Sequence, residues 1–378
     1  MTAQDPAYFL YHSIGQYPGK AAETGEALAA FAQSWAALDD GQWGRALTER
    51  ETFLALWRRL IGAPEGSLTS AENVTTALYS VLGGLPRERL SGKRVLVAQD
   101  CFPSLHFLLA GLAPRFGFTL DTVPMRPGES FVREDDMIAA WGPDVGLALL
   151  TFVTSTASFC ADHARLTAHG HAMGSLVALD LTQGIGIVPF TLAKDGPDIV
   201  LSTSLKWLCG TPGAGILYVR PELAAACAPE LRGWFSQPNP FSWDLDAFDY
   251  APDARRFDHG TPAAIACIGS VPALKWHAAA DKPALLAHTR TLQATIAAEA
   301  AALGLPLASP ADPEQRGGSI MVRLPESADP PALVSRLRDK AIHLDCRGSV
   351  MRISPGIVTR EAHVERLFEA LRAEGLGA

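Results

Sequence analysis

Two short apolar runs, each ending in a charged residue, constrain the fold of this chain more than anything else in it. Ser175-Leu-Val-Ala-Leu-Asp180 and Asp198-Ile-Val-Leu-Ser-Thr-Ser-Leu-Lys206 have the length and the aliphatic, β-branched content of strands buried on both faces. Such strands fill the centre of a parallel sheet covered by helices. A charged group at the carboxyl end of one points into the crevice where open α/β sheets bind ligands. Asp180 and Lys206 both stand there, 26 residues apart. A lysine after a strand is more often a solvated loop residue, but Lys206 runs straight into Trp207, Leu208 and Cys209. A Gly/Pro-rich turn and a further strand-like run, Ile216-Leu-Tyr-Val219, come next. An amine in so apolar a neighbourhood loses its proton easily and becomes a nucleophile.

The pattern around this pair is that of an α/β protein. Strand-like runs at 94–99, 145–153, 176–181, 199–202 and 215–219 alternate with helical ones at 105–112, 163–173 and 223–228. Residues 21–60 are helical in pattern, and a helix opens at Asn73 after the polar turn Thr69-Ser-Ala-Glu-Asn73. After Pro262 an Ala-rich helical stretch is expected to run to about Leu303, followed by a strand at 318–323 and helices at 331–340 and 361–374. The expected architecture is a large unit, 21–260, with a mostly parallel sheet flanked by helices. A smaller α+β unit, 261–378, packs on it, and residues 1–20 form an arm packing with the smaller unit.

The charge balance excludes one class of partner. A net charge of −8 and a pI near 5.7 argue against general nucleic-acid binding, which needs a basic face. With 48% hydrophobic residues and no run of 18 apolar ones, the chain is expected to fold as a globular protein without a membrane span. No N-terminal stretch has the basic-then-apolar form of a signal peptide, so a cytoplasmic location is expected. The six cysteines are scattered, without a CxxC pair or metal-ligand spacing, as free thiols in a reducing compartment would be.

An acid that can keep a heteroaromatic nitrogen protonated and an amine that can form a Schiff base are the two protein groups pyridoxal 5′-phosphate chemistry needs. With motifs in matching order from Tyr11-His-Ser-Ile-Gly15 to Met351-Arg-Ile-Ser-Pro355, the chain resembles the class V aminotransferase group of fold-type I pyridoxal-phosphate enzymes. That group includes kynureninases, cysteine desulfurases and isopenicillin-N epimerase-like proteins. The resemblance implies that Lys206 carries the cofactor and that Asp180 pairs with the pyridine nitrogen. It implies that Gln183, in Asp-x-x-Gln, bonds the phenolate oxygen, and that Phe102 stacks on the ring. Asn73, Val74, Thr75 and Thr203 are the implied phosphate donors, joined by Trp234 and Thr261 from the neighbouring subunit of a homodimer. Arg352 is the implied carboxylate anchor for an amino-acid substrate, with Arg347 a second candidate.

The chain also departs from each relative. Leu205 stands where kynureninases carry a tyrosine and desulfurases a histidine, Leu105 replaces an aspartate after Phe102-Pro-Ser, and Cys346 is too close to Arg352 for the mobile desulfurase cysteine. The favoured reaction is a kynureninase-like removal of a Cβ substituent from an L-amino acid. Amino-group transfer or epimerisation on the same scaffold is the alternative, and a pyridoxal-phosphate-binding protein without catalysis is a third reading.

Overall fold

The structure, a computed structural model, describes residues 5–376. The chain opens with β1 (Ala7–Tyr8) and two helices, α1 (Lys20–Trp35) and α2 (Gln42–Ile61). There follow β2 (Leu68–Ala71), α3 (Val74–Leu82), β3 (Arg94–Ala98), α4 (Pro103–Phe116), β4 (Thr119–Val123), α5 (Glu134–Ala140) and β5 (Val145–Thr151). Next come α6 (His163–Ala172), β6 (Leu176–Asp180), β7 (Ile199–Thr203), β8 (Gly215–Val219) and α7 (Pro221–Ala226). The remainder is α8 (Ala264–Ala279), α9 (Lys282–Ala302), β9 (Ile320–Arg323), α10 (Pro330–Asp339), β10 (Ile342–His343), β11 (Asp345–Arg347), β12 (Val350–Ile353) and α11 (Glu361–Ala373).

Seven strands form one sheet in the order β2-β8-β7-β6-β5-β3-β4. Every pairing is parallel except the two made by β8, so β8 alone runs against the rest. The central strands β6, β7 and β8 are buried along their whole length. Their alternate residues enter two different cores. Val177, Leu179, Val200, Ile216 and Tyr218 pack on one face with α2, whereas Ala178, Ile199, Leu201, Leu217 and Val219 pack on the other with α3 and α4. A third core surrounds the antiparallel sheet β11-β12-β9 and the apolar faces of α9, α10 and α11.

Two expectations are corrected. Thr69–Ala71 is not a turn but part of β2, which lies antiparallel to β8 and ends just before Asn73 caps α3. The helical stretch after Pro262 is two helices, broken at Ala280–Asp281. There Ala280 is extended, the Asp281 side chain accepts from Ala284 N–H, and Pro283 cannot continue a helix from before. Strand β4 and helix α5 carried no clear pattern because β4, Thr-Leu-Asp-Thr-Val, lies at the sheet edge with its first four residues partly exposed. The arm reaches across the fold: Ala7 and Tyr8 pair in parallel with Ile342 and His343, and Leu10 bridges Ser354. Residues 1–4 of the expected arm lie outside the described residues.

Helix α2 ties this framework to the end of β7. Trp57 is fully buried, and its indole N–H donates to Ser204 Oγ at 3.2 Å, two residues before Lys206. Trp57→Ala is expected to cost about 3–5 kcal/mol of stability in urea-unfolding measurements, because the cavity left in a packed core cannot collapse fully. Trp57→Phe should cost distinctly less.

Candidate active site

Asp180 is the last residue of β6, and Lys206 follows the last residue of the adjacent parallel strand β7 by three. Register therefore brings the two charges to the same edge of the sheet. They face a cavity of about 720 Å³ lined by both, by Phe102, Thr151, Thr182, Gln183, Thr203 and Leu205, and by Asn73–Thr76 at the start of α3. The Lys206 ammonium lies 5.2 Å from the centroid of the Phe102 ring and makes no ion pair among the described residues. Burial, opposed by the Asp180 charge and helped by that of Arg352, pulls the Lys206 amine down to about 8. Burial also raises Asp180, against the pull of Thr182, whose backbone N–H donates to Oδ1 at 2.9 Å, and of the Lys206 charge.

The N-terminal arm forms a wall beside these residues. Gly15 N–H donates to the Leu205 carbonyl at 3.0 Å, and a side chain at Gly15 would have its Cβ 1.9 Å from the Lys206 carbonyl oxygen. Only glycine allows that approach. Gln183 is fixed from two sides, donating to the His12 carbonyl at 3.0 Å and accepting from the Trp207 indole N–H at 3.3 Å. One of its two amide protons is left over.

Comparison with known proteins identifies this arrangement. Residues 45–367 match the family of class-V aminotransferases. The chain belongs to that family. It is 31% identical to a kynureninase of Deinococcus radiodurans over 78% of this chain and 68% of that one. It is 27% identical to the isopenicillin N epimerase of Streptomyces clavuligerus, covering 86% of this chain and 85% of the relative. Among solved structures, an apo cysteine desulfurase from Thermococcus onnurineus NA1 superposes with a TM-score of 0.86 at 17% identity, covering 98% of this chain and 94% of that one. The protein is thus a class-V enzyme, and its cofactor is pyridoxal 5′-phosphate.

The cavity of this class-V enzyme suits that cofactor. Three buried hydroxyls on its lining, Thr151, Thr182 and Thr203 Oγ1, have no hydrogen-bond partner among the described residues. A buried polar atom left unpaired is costly, so these hydroxyls give the cavity a polar wall beneath its surface, although the oxygens themselves are covered. Asp180 is likewise a buried acid short of a cation. At the start of α3 the Asn73 side chain caps Thr76 N–H at 2.9 Å, which leaves the Val74 and Thr75 N–H groups without intrahelical partners.

Not every expected residue lines this cavity. Trp234 sits in a short 3-10 turn packed edge-on against Trp43 and Phe235, and Thr261 is exposed; neither borders the cavity of its own chain. Arg352 is buried on β12, but its fork is not free as expected. Nε donates to Asp345 Oδ1 at 2.7 Å and Nη2 to Oδ2 at 2.5 Å, while Nη1 reaches the carbonyl of Ser155 on the cavity wall at 3.4 Å. Arg347 is exposed and touches Asp345 at 3.6 Å.

The sequence reading missed the network behind Arg352. His12 Nε2 lies 3.1 Å from Asp345, its Nδ1 is 2.6 Å from Ser354 Oγ, and Ser354 in turn is 2.6 Å from Ser319 Oγ. Asp345 and Arg352 are directly opposite in the β11–β12 hairpin. That pairing was readable from Asp345-Cys-Arg-Gly-Ser-Val-Met-Arg352, since a Gly-Ser turn sets the register. His12 carried no such signal, because its partners are more than 300 residues away.

Two pH dependences follow from these environments. Only the neutral form of an amine attacks an aldehyde, so capture of pyridoxal phosphate by apoenzyme through Lys206 is expected to rise about tenfold per pH unit below 8 and level off above it. Stopped-flow absorbance checks this, and a plateau reached only near the ordinary lysine value of about 10.4 would contradict the burial argument. Burial alone would raise Asp345, but hydrogen bonds from His12 and Arg352 more than reverse it and hold the carboxyl well below the usual range. Its stabilising contribution is therefore complete above the unfolded value of about 3.9 and lost as pH falls through the lower folded one. Asp345→Asn should flatten the acid limb of the Tm profile below about pH 4, with little change in its slope near neutrality.

Proposed function

We propose that the protein removes a Cβ substituent from an L-amino acid, with Lys206 as both the attachment point of the cofactor and the base at Cα. The reading is carried by one observation. Lys206 is the only lysine on the cavity, its amine is depressed to about 8, and no histidine or cysteine among the described residues lines the same space. We assign proton traffic at Cα and Cβ to Lys206, since the two acids on the same lining are Asp180, assigned to the ring nitrogen, and the exposed Glu72. A base poised near the working pH serves both directions of transfer.

The other residues hold and orient. Bound pyridoxal phosphate supplies an electron sink for the pair left at Cα when a proton departs. Asp180 keeps the ring nitrogen cationic and gains the charged partner it lacks. Val74 and Thr75 N–H groups at the helix start, with Asn73 and the Thr203 hydroxyl, hold the phosphate. Phe102 offers its flat face to the ring, and the spare amide proton of Gln183 serves the phenolate oxygen. Arg352 receives the α-carboxylate on the Nη1 side, while Asp345 on the other edge fixes the plane of the guanidinium.

The kynureninase relatives support the lyase. A second reading, amino-group transfer or epimerisation, is favoured by the isopenicillin N epimerase match, which spans more of both chains. We place the enzyme as a homodimer in which Trp234 and Thr261 complete the phosphate site of the partner, since neither reaches the cavity of its own chain. The exposed apolar side chains Phe241, Trp243 and Leu245 lie close in sequence to Trp234 and suit such an interface. Light scattering should give about twice 40.3 kDa, and a monomer with full cofactor occupancy would remove the shared site.

Incubation with L-kynurenine and a panel of L-amino acids separates the reactions. A lyase releases its leaving group without any 2-oxo acid present, a transaminase turns over only with such an acceptor, and an epimerase yields the D-isomer. Borohydride treatment followed by peptide mass mapping should locate the cofactor on Lys206. Lys206→Ala should show no covalent cofactor and lose about 10²–10⁴-fold in turnover. Arg352→Lys should raise KM or abolish turnover, by about 2–5 kcal/mol, because an ammonium cannot replace the fork and leaves Asp345 poorly paired. An unchanged KM would show that the carboxylate is read elsewhere.

A further inference from the structure

Trp234 and Thr261, which do not border the Lys206 cavity of their own chain, lie on two segments joined to each other. Phe235 N–H donates to the His259 carbonyl at 3.3 Å, and the Ser236 hydroxyl donates to the Asp258 carbonyl. The approach is so close that a Cβ on Gly233 would lie 2.4 Å from the His259 carbonyl oxygen. Both segments are held in turn by helix α2. Trp43 and Arg50 stand two turns apart on that helix and so share one of its faces. The Trp43 ring meets the Trp234 ring edge-on at 5.7 Å. Arg50 Nη2 donates to Asp258 Oδ1 at 2.7 Å and to Thr69 Oγ1 at 2.8 Å, and its Nε donates to Ser70 Oγ at 2.8 Å. The Thr69 hydroxyl donates to the same oxygen of Asp258.

Arg50 and Asp258 are both buried. Desolvation offsets most of the attraction in such a pair, and apolar side chains of the same volume often serve stability as well. What apolar side chains cannot do is fix the direction of a loop. The carboxylate held by Arg50 and Thr69 and the carbonyl held by Ser236 belong to one residue, and Thr261 stands exposed three positions beyond it. We propose that Arg50 and Asp258 are positioning residues for the neighbouring subunit's site. Together with Trp43 they hold Trp234 and Thr261 in the arrangement that meets the phosphate of the partner's cofactor. The inference rests on the shared phosphate site proposed above. Its rival is an effect inside one chain, because Ser70, which Arg50 also holds, stands three residues before the Asn73 turn.

Titration of the full-length dimer with pyridoxal phosphate and with pyridoxal, which lacks the phosphate, separates the two. The visible absorbance of the lysine-bound cofactor reports occupancy. Asp258→Asn should weaken pyridoxal phosphate about 10-fold, the worth of one hydrogen bond to a charged group, and leave pyridoxal unchanged. Ser236→Ala keeps the ion pair and cuts only the link to the Asp258 carbonyl. It should show the same selectivity, and it decides the matter should Asp258→Asn fail to fold. In a mixed dimer of one Asp258→Asn subunit and one Lys206→Ala subunit, the site that keeps Lys206 receives the unaltered loop, and its affinity should return to the wild-type value. An equal loss for pyridoxal, or a mixed dimer as weak as the Asp258→Asn dimer, overturns the inference. Thr261→Ala tests the shared site itself. If it leaves pyridoxal phosphate affinity unchanged, the shared site falls and this inference with it. If it weakens that affinity while Asp258→Asn and Ser236→Ala do not, the positioning role alone falls.

Discussion

Everything in this enzyme's site depends on two opposite charges held at neighbouring strand ends without touching. Asp180 and Lys206 are brought together by the parallel register of β6 and β7, yet they form no salt bridge. A closed pair would satisfy both groups and leave nothing for a ligand. Held apart, each is shifted by burial toward its neutral form, the acid upward and the amine downward. Burying unpaired charges is unfavourable, and the two fully packed faces of the sheet offset that cost. The same strain that destabilises the empty arrangement favours a ligand with a cationic ring nitrogen for one group and an aldehyde for the other.

The site is assembled by three parts of the chain rather than by the sheet alone. Trp207, the residue after Lys206, is the point where they meet. Its ring stacks on Tyr11 at 5.6 Å, its N–H holds Gln183, and a Cβ on Gly318 would collide with its ring. The arm, the lysine turn and the small sheet are therefore packed around one indole. Tyr11 continues the connection by donating to the Gln16 carbonyl and accepting from Val358 N–H. All three parts thus border the indole that holds Gln183.

The central sheet and the cavity-facing residues were legible because their signals are local. An apolar run ending in a charge, a Gly/Pro turn and an Asn at a helix start each declare themselves within about ten residues. Asp180, Gln183, Thr203, Lys206, Phe102 and the Asn73–Thr75 turn fall on one cavity. What stayed hidden is long-range. Strand β2 is four residues of mixed polarity and is a strand only because β8 runs beside it. The Thr151 hydroxyl is placed by its register against Asp180, and no local pattern distinguishes it from any other strand-end threonine.

The state of Arg352 shows the limit of motif reasoning most clearly. The sequence identifies an arginine on an apolar strand and suggests the carboxylate-binding role proposed for it, but not which of its edges is free. Structure answers that: Asp345 occupies one edge, and His12 and Ser354 in turn fix Asp345 and its surroundings. A guanidinium whose plane is set in this way loses little conformational freedom when a carboxylate arrives, which is where preorganisation gains affinity. In the proposed binding mode the two ends of an amino acid meet different layers, the amine end the large sheet and the carboxylate end the small sheet and the arm.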